Sequence, residues 1–516
     1  MILRSVLLMV FPQMPKFFPS KNRIAQCTKA EAEGENRDKY KLSDYFEDYL
    51  EILSELKKGK FIFTGRKGSG KTAIAKYIKD QSDQAKDSHA VLLRLKDFDL
   101  ERAVQVSGNS GEGKDSLLFE WLILVNIVKL IVKNECGEYT TEYNQLRKFV
   151  EKNTGSSAID KFEVSEVFLN NGGEIKFGML THLFGAVFKK QFGIKETKAP
   201  YYKLIAPLKE IVKIILDYPT NKETEFWLLF DDLDVGYNVD SESDNLKIME
   251  LLRIAKEYNT EIFQHNHARI LVFLRDDMRN VIASKYNDSG KIFLSYEITL
   301  QWYNHKLLKS NENDIPLKRL TNRRLTVNFK NAGIPFNEDN PWETLFAPTY
   351  GDKYTDFKPS FKYILDFTLY RPRDIIVFLS VITEDNYDIP INFESLKKIL
   401  FKYINKLRTE IESELSLFFN EAEKTELFMV LEHIANHNCK REDVIQVIAA
   451  QPKFSIPAER VFFILEEYSL IGYRNLQGES FFKCREQDLD DDEKRDMQLT
   501  LPRCILHNFK KIHARR

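Results

Sequence analysis

A three-layer αβα fold around a mainly parallel sheet, followed by a helical lid and a small C-terminal domain, is the architecture this sequence predicts. Three stretches carry that prediction. Phe61-Ile62-Phe63 runs into a glycine-rich turn and then into a helical pattern with Ile74, Tyr77 and Ile78 on one face. Phe226 to Phe230 and Ala268 to Leu274 are apolar runs, and each ends in charged residues, Asp231-Asp232-Leu233-Asp234 and Arg275-Asp276. Such runs are strands covered on both faces, the habit of parallel sheets. The expected division is a tail and linker over 1–40, a sheet domain over 41–300 with a helical insertion at about 100–217, a lid over 301–415 and a terminal domain over 416–516.

The glycine-rich turn spells Gly65-Arg66-Lys67-Gly68-Ser69-Gly70-Lys71-Thr72, the G-x-x-x-x-G-K-T pattern of the P-loop NTPases. Glycines let backbone N–H groups turn inward around an anion with no Cβ in the way. The following helix aims its N-terminal partial positive charge at the same place. Lys71 is expected on the β- and γ-phosphates and the Thr72 hydroxyl on Mg²⁺. Gly108 to Asp115, GNSGEGKD, repeats part of the pattern, but Asp115 replaces the Ser/Thr that Mg²⁺ needs and no apolar strand leads in. It is expected to be a loop.

The other elements follow in order. Lys41 to Leu56 has helical spacing. Ala90 to Leu95 reads as a strand, and Leu117 to Val132 and Tyr202 to Leu216 as helices of the insertion. Ligands of open α/β sheets bind at the carboxyl ends of strands, so Asp231 is expected to hold Mg²⁺ and Asp232 to orient and polarise the attacking water. Arg275, at the end of its strand, suits bidentate reading of a γ-phosphate; the same residue suits pairing with Asp276 or Asp277, and the sequence leaves both open. Phe293 to Leu300 reads as a fifth strand.

Past Leu300 the pattern changes. QWYNHKLL and LKRLTNRRL look helical and basic, with Arg319, Arg323 and Arg324, and Asn331 to Tyr354 reads as loop. Arg371-Pro372-Arg373-Asp374 places a proline at a helix start beside Arg373, a candidate second phosphate sensor. Leu396 to Phe419 is a long helix. Helices at Glu421 to Asn436, Arg441 to Ala449 and Pro457 to Tyr468, then strands around Gln477-Gly478, spell a winged helix. Its third helix carries Arg460 against Glu459, Glu466 and Glu467, a poor phosphate-facing surface. The wing offers Arg474, Lys483 and Arg485, and Phe509 to Arg516 is a basic tail, so DNA contact stays open beside protein interaction.

Bulk composition adds limits. Lys+Arg 76 against Asp+Glu 77 leaves a net charge of −1, so any nucleic-acid affinity must come from local patches. Five scattered cysteines with no C-x-x-C pair read as reduced thiols in a cytoplasmic protein. Met1 to Phe17 is apolar but contains Arg4 and is too short to span a bilayer. No membrane partner is expected.

GRKGSGKT, LLFDDLD, ILVFLRDD, RPRD and a winged helix, in that order, resemble the STAND-type and AAA+-like ATPases of the P-loop superfamily, nearest to bacterial ATPases of anti-phage defence and DNA-linked islands. Asp231-Asp232 follows the STAND form. The resemblance implies a sheet of order 5-1-4-3-2, ATP as ligand, and a homo-oligomer with Arg319, Arg323 or Arg324 supplied in trans, or a partner effector protein. The long insertion and the lack of a C-terminal repeat or effector region depart from the family. The expected activity is an ATP-hydrolysing switch. Its rivals are a DNA-binding initiator or remodeller and a nucleotide-binding scaffold with little hydrolysis.

Overall fold

The computed structural model describes residues 17–18, 42–94, 114–136, 140–154, 174–176, 198–200, 204–219, 221–263, 267–303, 312–352, 355–485 and 489–506. The 26–39 linker, most of the 108–115 loop and the basic tail at 509–516 lie outside these residues.

The chain opens with β1 (Phe17–Phe18), α1 (Leu42–Tyr45) and α2 (Ile52–Lys57). The helix expected over Lys41 to Leu56 is therefore in two pieces. Glu51, at φ 50°, is left-handed and separates them; such a residue cannot continue a right-handed helix. Next come β2 (Ile62–Gly65), α3 (Lys71–Gln84), β3 (Ser88–Arg94), α4 (Lys114–Lys133), α5 (Thr141–Thr154), β4 (Glu174–Lys176), β5 (Lys198–Pro200) and α6 (Ile205–Asp217). They are followed by β6 (Glu225–Asp231), α7 (Glu242–Glu257), β7 (Ala268–Arg275), α8 (Asp276–Lys285), α9 (Ser289–Tyr296) and β8 (Glu297–Thr299).

Five of these strands form one sheet in the order β3-β6-β7-β2-β8, with every neighbouring pair parallel. Counted from the β8 edge, this is the expected 5-1-4-3-2. The fold is an α/β P-loop NTPase fold. Strands β6 and β7 are buried along nearly their whole length, because α3, α7 and α8 pack on the sheet and α4 packs on β3 and β6. The insertion thus supplies a core helix. Trp121, Leu122, Ile123, Leu124, Ile127 and Ile131 of α4 are all buried, and α6 and α7 cover it in turn. A helix apolar on all sides must be enclosed in this way.

The fifth strand is shorter than expected. Residues Ser289–Tyr296 are helical and only Glu297–Thr299 pair with β2. Short apolar runs do not discriminate strand from helix. Here Ile292 and Phe293 face inward while Leu294 is exposed, and the Ser289 hydroxyl donates to the Tyr286 carbonyl at 2.6 Å.

The chain divides into two compact units, one of Leu50–Lys67 and Lys71–Leu300, the other of Met1–Tyr49, Gly68–Gly70 and Gln301–Arg516. In the second unit Gln301 to Tyr303 are not helical as expected. After them come α10 (Pro316–Ala332), α11 (Pro341–Leu345), β9 (Thr349–Asp352), β10 (Thr355–Pro359), α12 (Ser360–Leu365), α13 (Pro372–Ile382), β11 (Tyr387–Asp388) and α14 (Phe393–Leu415). The stretch expected as loop over Asn331 to Tyr354 therefore holds a helical turn and a strand. Trp342 and Tyr350 anchor it, both buried, with the Tyr350 hydroxyl donating to the Ile391 carbonyl at 2.6 Å.

The last elements are α15 (Glu421–Asn436), α16 (Arg441–Ala449), α17 (Ala458–Glu467), β12 (Gly472–Arg474), β13 (Ser480–Phe481), α18 (Asp491–Arg495) and β14 (Gln498–Thr500). Three helices and a hairpin appear in the expected order. Lys483–Arg485 forms a 3₁₀ turn instead of continuing the second strand, and β14 adds a third strand beside β12. One apolar cluster runs from Trp302 to Ile505 through this unit. β1 pairs antiparallel with β11, Phe17 opposite Asp388.

Candidate phosphate-loop site

The loop Gly65 to Thr72 joins the end of β2 to the first turn of α3. Gly68 at φ +81° and Gly70 at φ +97° take conformations that side-chain-bearing residues rarely adopt. A Cβ on Gly68 would also stand 3.0 Å from Cβ of Arg373. The Lys71 ammonium donates to the carbonyls of Gly65 at 2.6 Å and Arg66 at 3.0 Å. Loss of solvent around it lowers its pKa; Asp276, Asp231 and Asp234 oppose the fall and Arg275 adds to it.

Asp231 is the last residue of β6, 2% exposed. The Thr72 hydroxyl and the Lys71 ammonium both act to lower the pKa of its carboxylate, so Thr72, Lys71 and Asp231 meet at one place. Burial, then the Asp232 charge, outweigh them and push that pKa up to about 6. Its Oδ2 is buried with no hydrogen-bond partner, and so is Ser69 Oγ. Buried acceptors are nearly always satisfied. The orphan on Asp231 beside Thr72 and Lys71, with a loop whose glycines leave room for a backbone cradle, fits a phosphate group with a divalent cation.

Asp232 follows at φ 54° and pairs with Arg94 at 3.4 Å. The partnership follows from register, since Arg94 at the end of β3 lies opposite Asp231. Arg275, opposite Gly65 at the end of β7, is 8% exposed and fully engaged. Its Nη1 donates to Asp234 at 2.9 Å and its Nε and Nη2 to Asp277 at 3.0 and 2.5 Å. Of the two roles left open by the sequence, the structure displays the pairing, with Asp277 and Asp234. Burial raises the Asp234 pKa, but the Arg275 bonds and charge outweigh it, and the net shift is downward.

Arg371 and Arg373 differ sharply. Arg371 is 3% exposed, with Nε and Nη2 on Asp374 at 3.1 and 2.9 Å and Nη1 on Glu414 at 3.0 Å. It is structural. Arg373 lies against Gly68, and its charge opposes the upward shift that burial gives the Glu410 carboxyl. The three arginines proposed to act in trans are engaged within the chain. Arg319 pairs with Glu47 at 2.5 Å, Arg323 donates to the Asp44 carbonyl at 3.1 Å, and buried Arg324 stacks on the Tyr45 ring. On the wing, Lys483 pairs with Glu467, and Arg485 lies over Tyr370 and Phe482; Arg474 stays exposed.

The sequence reading named Asp277 as a partner for Arg275 but missed Arg94, Asp234, Glu410 and Trp302. Asp234 and Asp277 were visible as charges at strand ends. Nothing local marks Trp302, whose indole N–H donates to the Ser69 carbonyl at 2.6 Å.

Fold and loop together define an α/β P-loop NTPase fold. The family described as the FunZ-associated C-terminal helical domain matches residues 316–388, from α10 to β11. Among solved structures, a Walker-type ATPase of Pyrococcus abyssi is similar at 10% identity and TM-score 0.38, over 90% of this chain and 95% of that one. The ORC2 protein of Aeropyrum pernix, in ADPNP–ADP complexes, is similar at 13% identity and TM-score 0.35, over 97% of this chain and 100% of that one. No curated protein matches. Among the described residues no helix is long and apolar enough to cross a membrane.

Proposed function

We propose that the chain binds ATP with Mg²⁺ at the phosphate loop and hydrolyses it as a molecular switch. One observation carries the reading: the unpartnered Oδ2 of buried Asp231 beside the Thr72 hydroxyl and the Lys71 ammonium. A carboxylate buried without a partner is costly, and a cation in contact with it removes the cost. Among the described residues no cluster of three or more His, Cys, Asp or Glu is arranged to hold a metal. The chain would therefore give the ion Thr72 and Asp231, leaving other positions to phosphate and water, the usual habit of Mg²⁺. Bound Mg²⁺ would supply neutralisation of phosphate charge.

Lys71 leaves its loop carbonyls to meet the phosphates, and the N–H groups of Gly68 to Thr72 bind their oxygens. Asp232 orients water once it parts from Arg94. Lys71→Ala should abolish nucleotide binding or turnover, while Asp232→Ala should bind ATP and not turn it over. Normal ATPase rates in both would defeat the assignment. A second reading, a scaffold with little hydrolysis, is favoured by the Arg94 pairing and by an aspartate one methylene shorter than the usual glutamate; single-turnover hydrolysis separates the two. The motif order extends the switch to bacterial anti-phage defence, acting through a homo-oligomer or an effector protein. Phage plating on cells with Lys71→Ala tests this extension, which fails if the variant protects as well as the wild type.

A further inference from the structure

The crest of the phosphate loop, Gly68–Gly70, belongs to the compact unit of Gln301–Arg516. Two donors from that unit hold it. The Trp302 indole N–H takes the Ser69 carbonyl at 2.6 Å, and the Arg373 backbone N–H takes the Gly68 carbonyl at 3.3 Å. Both donors have reason to be there. Arg373 is in the first turn of α13, where backbone N–H groups have no partner inside the helix. Trp302 is 7% exposed, so its N–H must find an acceptor within the protein. The Tyr49 ring packs on the indole at 4.2 Å between centroids, and the indole would meet a Gly70 Cβ at 3.7 Å.

A trans peptide is planar, and its C=O and N–H point to opposite sides. Holding the Gly68 carbonyl fixes the Ser69 N–H, and holding the Ser69 carbonyl fixes the Gly70 N–H. These two N–H groups are consecutive members of the cradle. We propose that Trp302 is a positioning residue: by holding the Ser69 carbonyl, it turns the loop's N–H groups toward the phosphate. This rests on the nucleotide reading above. It adds that the loop's anion affinity is set by a side chain more than two hundred residues away, |i−j| = 233.

The test compares Trp302→Phe, which keeps a ring and loses the N–H, with Trp302→His, which keeps a ring and an N–H. Affinities for ADP and for adenosine are measured by calorimetry, and melting is measured without ligand. One hydrogen bond predicts an ADP affinity weaker by roughly fivefold in Trp302→Phe, largely restored in Trp302→His, with adenosine affinity unchanged and a lower melting temperature in both variants from the smaller buried ring. Equal ADP affinity in wild type and Trp302→Phe, or equal losses for ADP and adenosine, would overturn the inference while leaving the nucleotide site intact. A wild type that binds no ADP sinks both. Should Trp302→Phe not fold, ¹⁵N-tryptophan spectra of the wild type decide: the Trp302 indole N–H should exchange slowly and shift on ADP addition, and a fast-exchanging or unmoved signal overturns the proposal.

Discussion

The ends of two adjacent strands, β6 and β7, handle buried charge in opposite ways. At the end of β6, Asp231 keeps one carboxylate oxygen without a partner and its pKa climbs to about 6. At the end of β7, Arg275 spends three nitrogens on Asp234 and Asp277. Both are buried, and both lie where α/β sheets place ligands. The difference separates a group held in readiness from a group already committed. An unsatisfied carboxylate gains most when a cation arrives, whereas a forked guanidinium gains nothing unless it first abandons two carboxylates. Asp231 is thus the better candidate for ligand contact, and Arg275 the better candidate for shaping the loop that carries Asp234.

Substitutions should expose that asymmetry. Asp231→Asn should cut hydrolysis by on the order of 10³-fold, as expected for loss of a cation-holding group, with no loss of stability; unchanged turnover would reverse the comparison. Arg275→Ala should cost about 3–5 kcal/mol in urea unfolding, because it strands two carboxylates. Arg275→Lys should recover little of that, since an ammonium cannot fork to both. A lysine variant as stable as wild type would mean the clamp is weak.

The pH dependence should differ too. The folded Asp231 pKa, about 6, lies above its ordinary 3.8. Between about pH 4 and 6 the folded state then binds more protons than the unfolded state. Stability from this group should fall as pH rises through that window, by ~3 kcal/mol at most, and stay flat above it. Asp231→Asn should remove the slope when unfolding is followed by urea titration in EDTA; the same slope in the variant would assign it elsewhere. The smallest effect is expected far from both strand ends. Arg253→Ala, which breaks surface pairs with Glu250 and Asp288, should cost under about 1 kcal/mol, and a larger loss would show that surface charge matters more here than burial.

Much of this was legible in the chain. The phosphate loop and the β6 and β7 strands followed from continuous apolar runs and a glycine pattern, signals that depend on neighbours in sequence, whereas the sheet order came only from the resemblance to P-loop ATPases. Helix α13 announced itself through Pro372. Interactions at long sequence separation were not legible. Arg94 reaches Asp232 only because β3 and β6 pair in one register, and Trp302 reaches Ser69 with no local mark at all. The second half of helix α9, from Phe293, passed for a strand because Phe293-Leu294 is too short a run for its period to be read. The basic residues of the wing looked available, yet Lys483 and Arg485 are held by Glu467 and by Tyr370, Phe482 and Asp366. Arg474 keeps its exposure, and Leu476 beside it is 97% exposed.

The chain passes from one compact unit to the other after Tyr49, Lys67, Gly70 and Leu300. A single genetic crossover cannot hand either unit intact to another gene. A fragment that carried 71–300 would inherit the lysine and the carboxylates but leave behind the three residues that crown the loop.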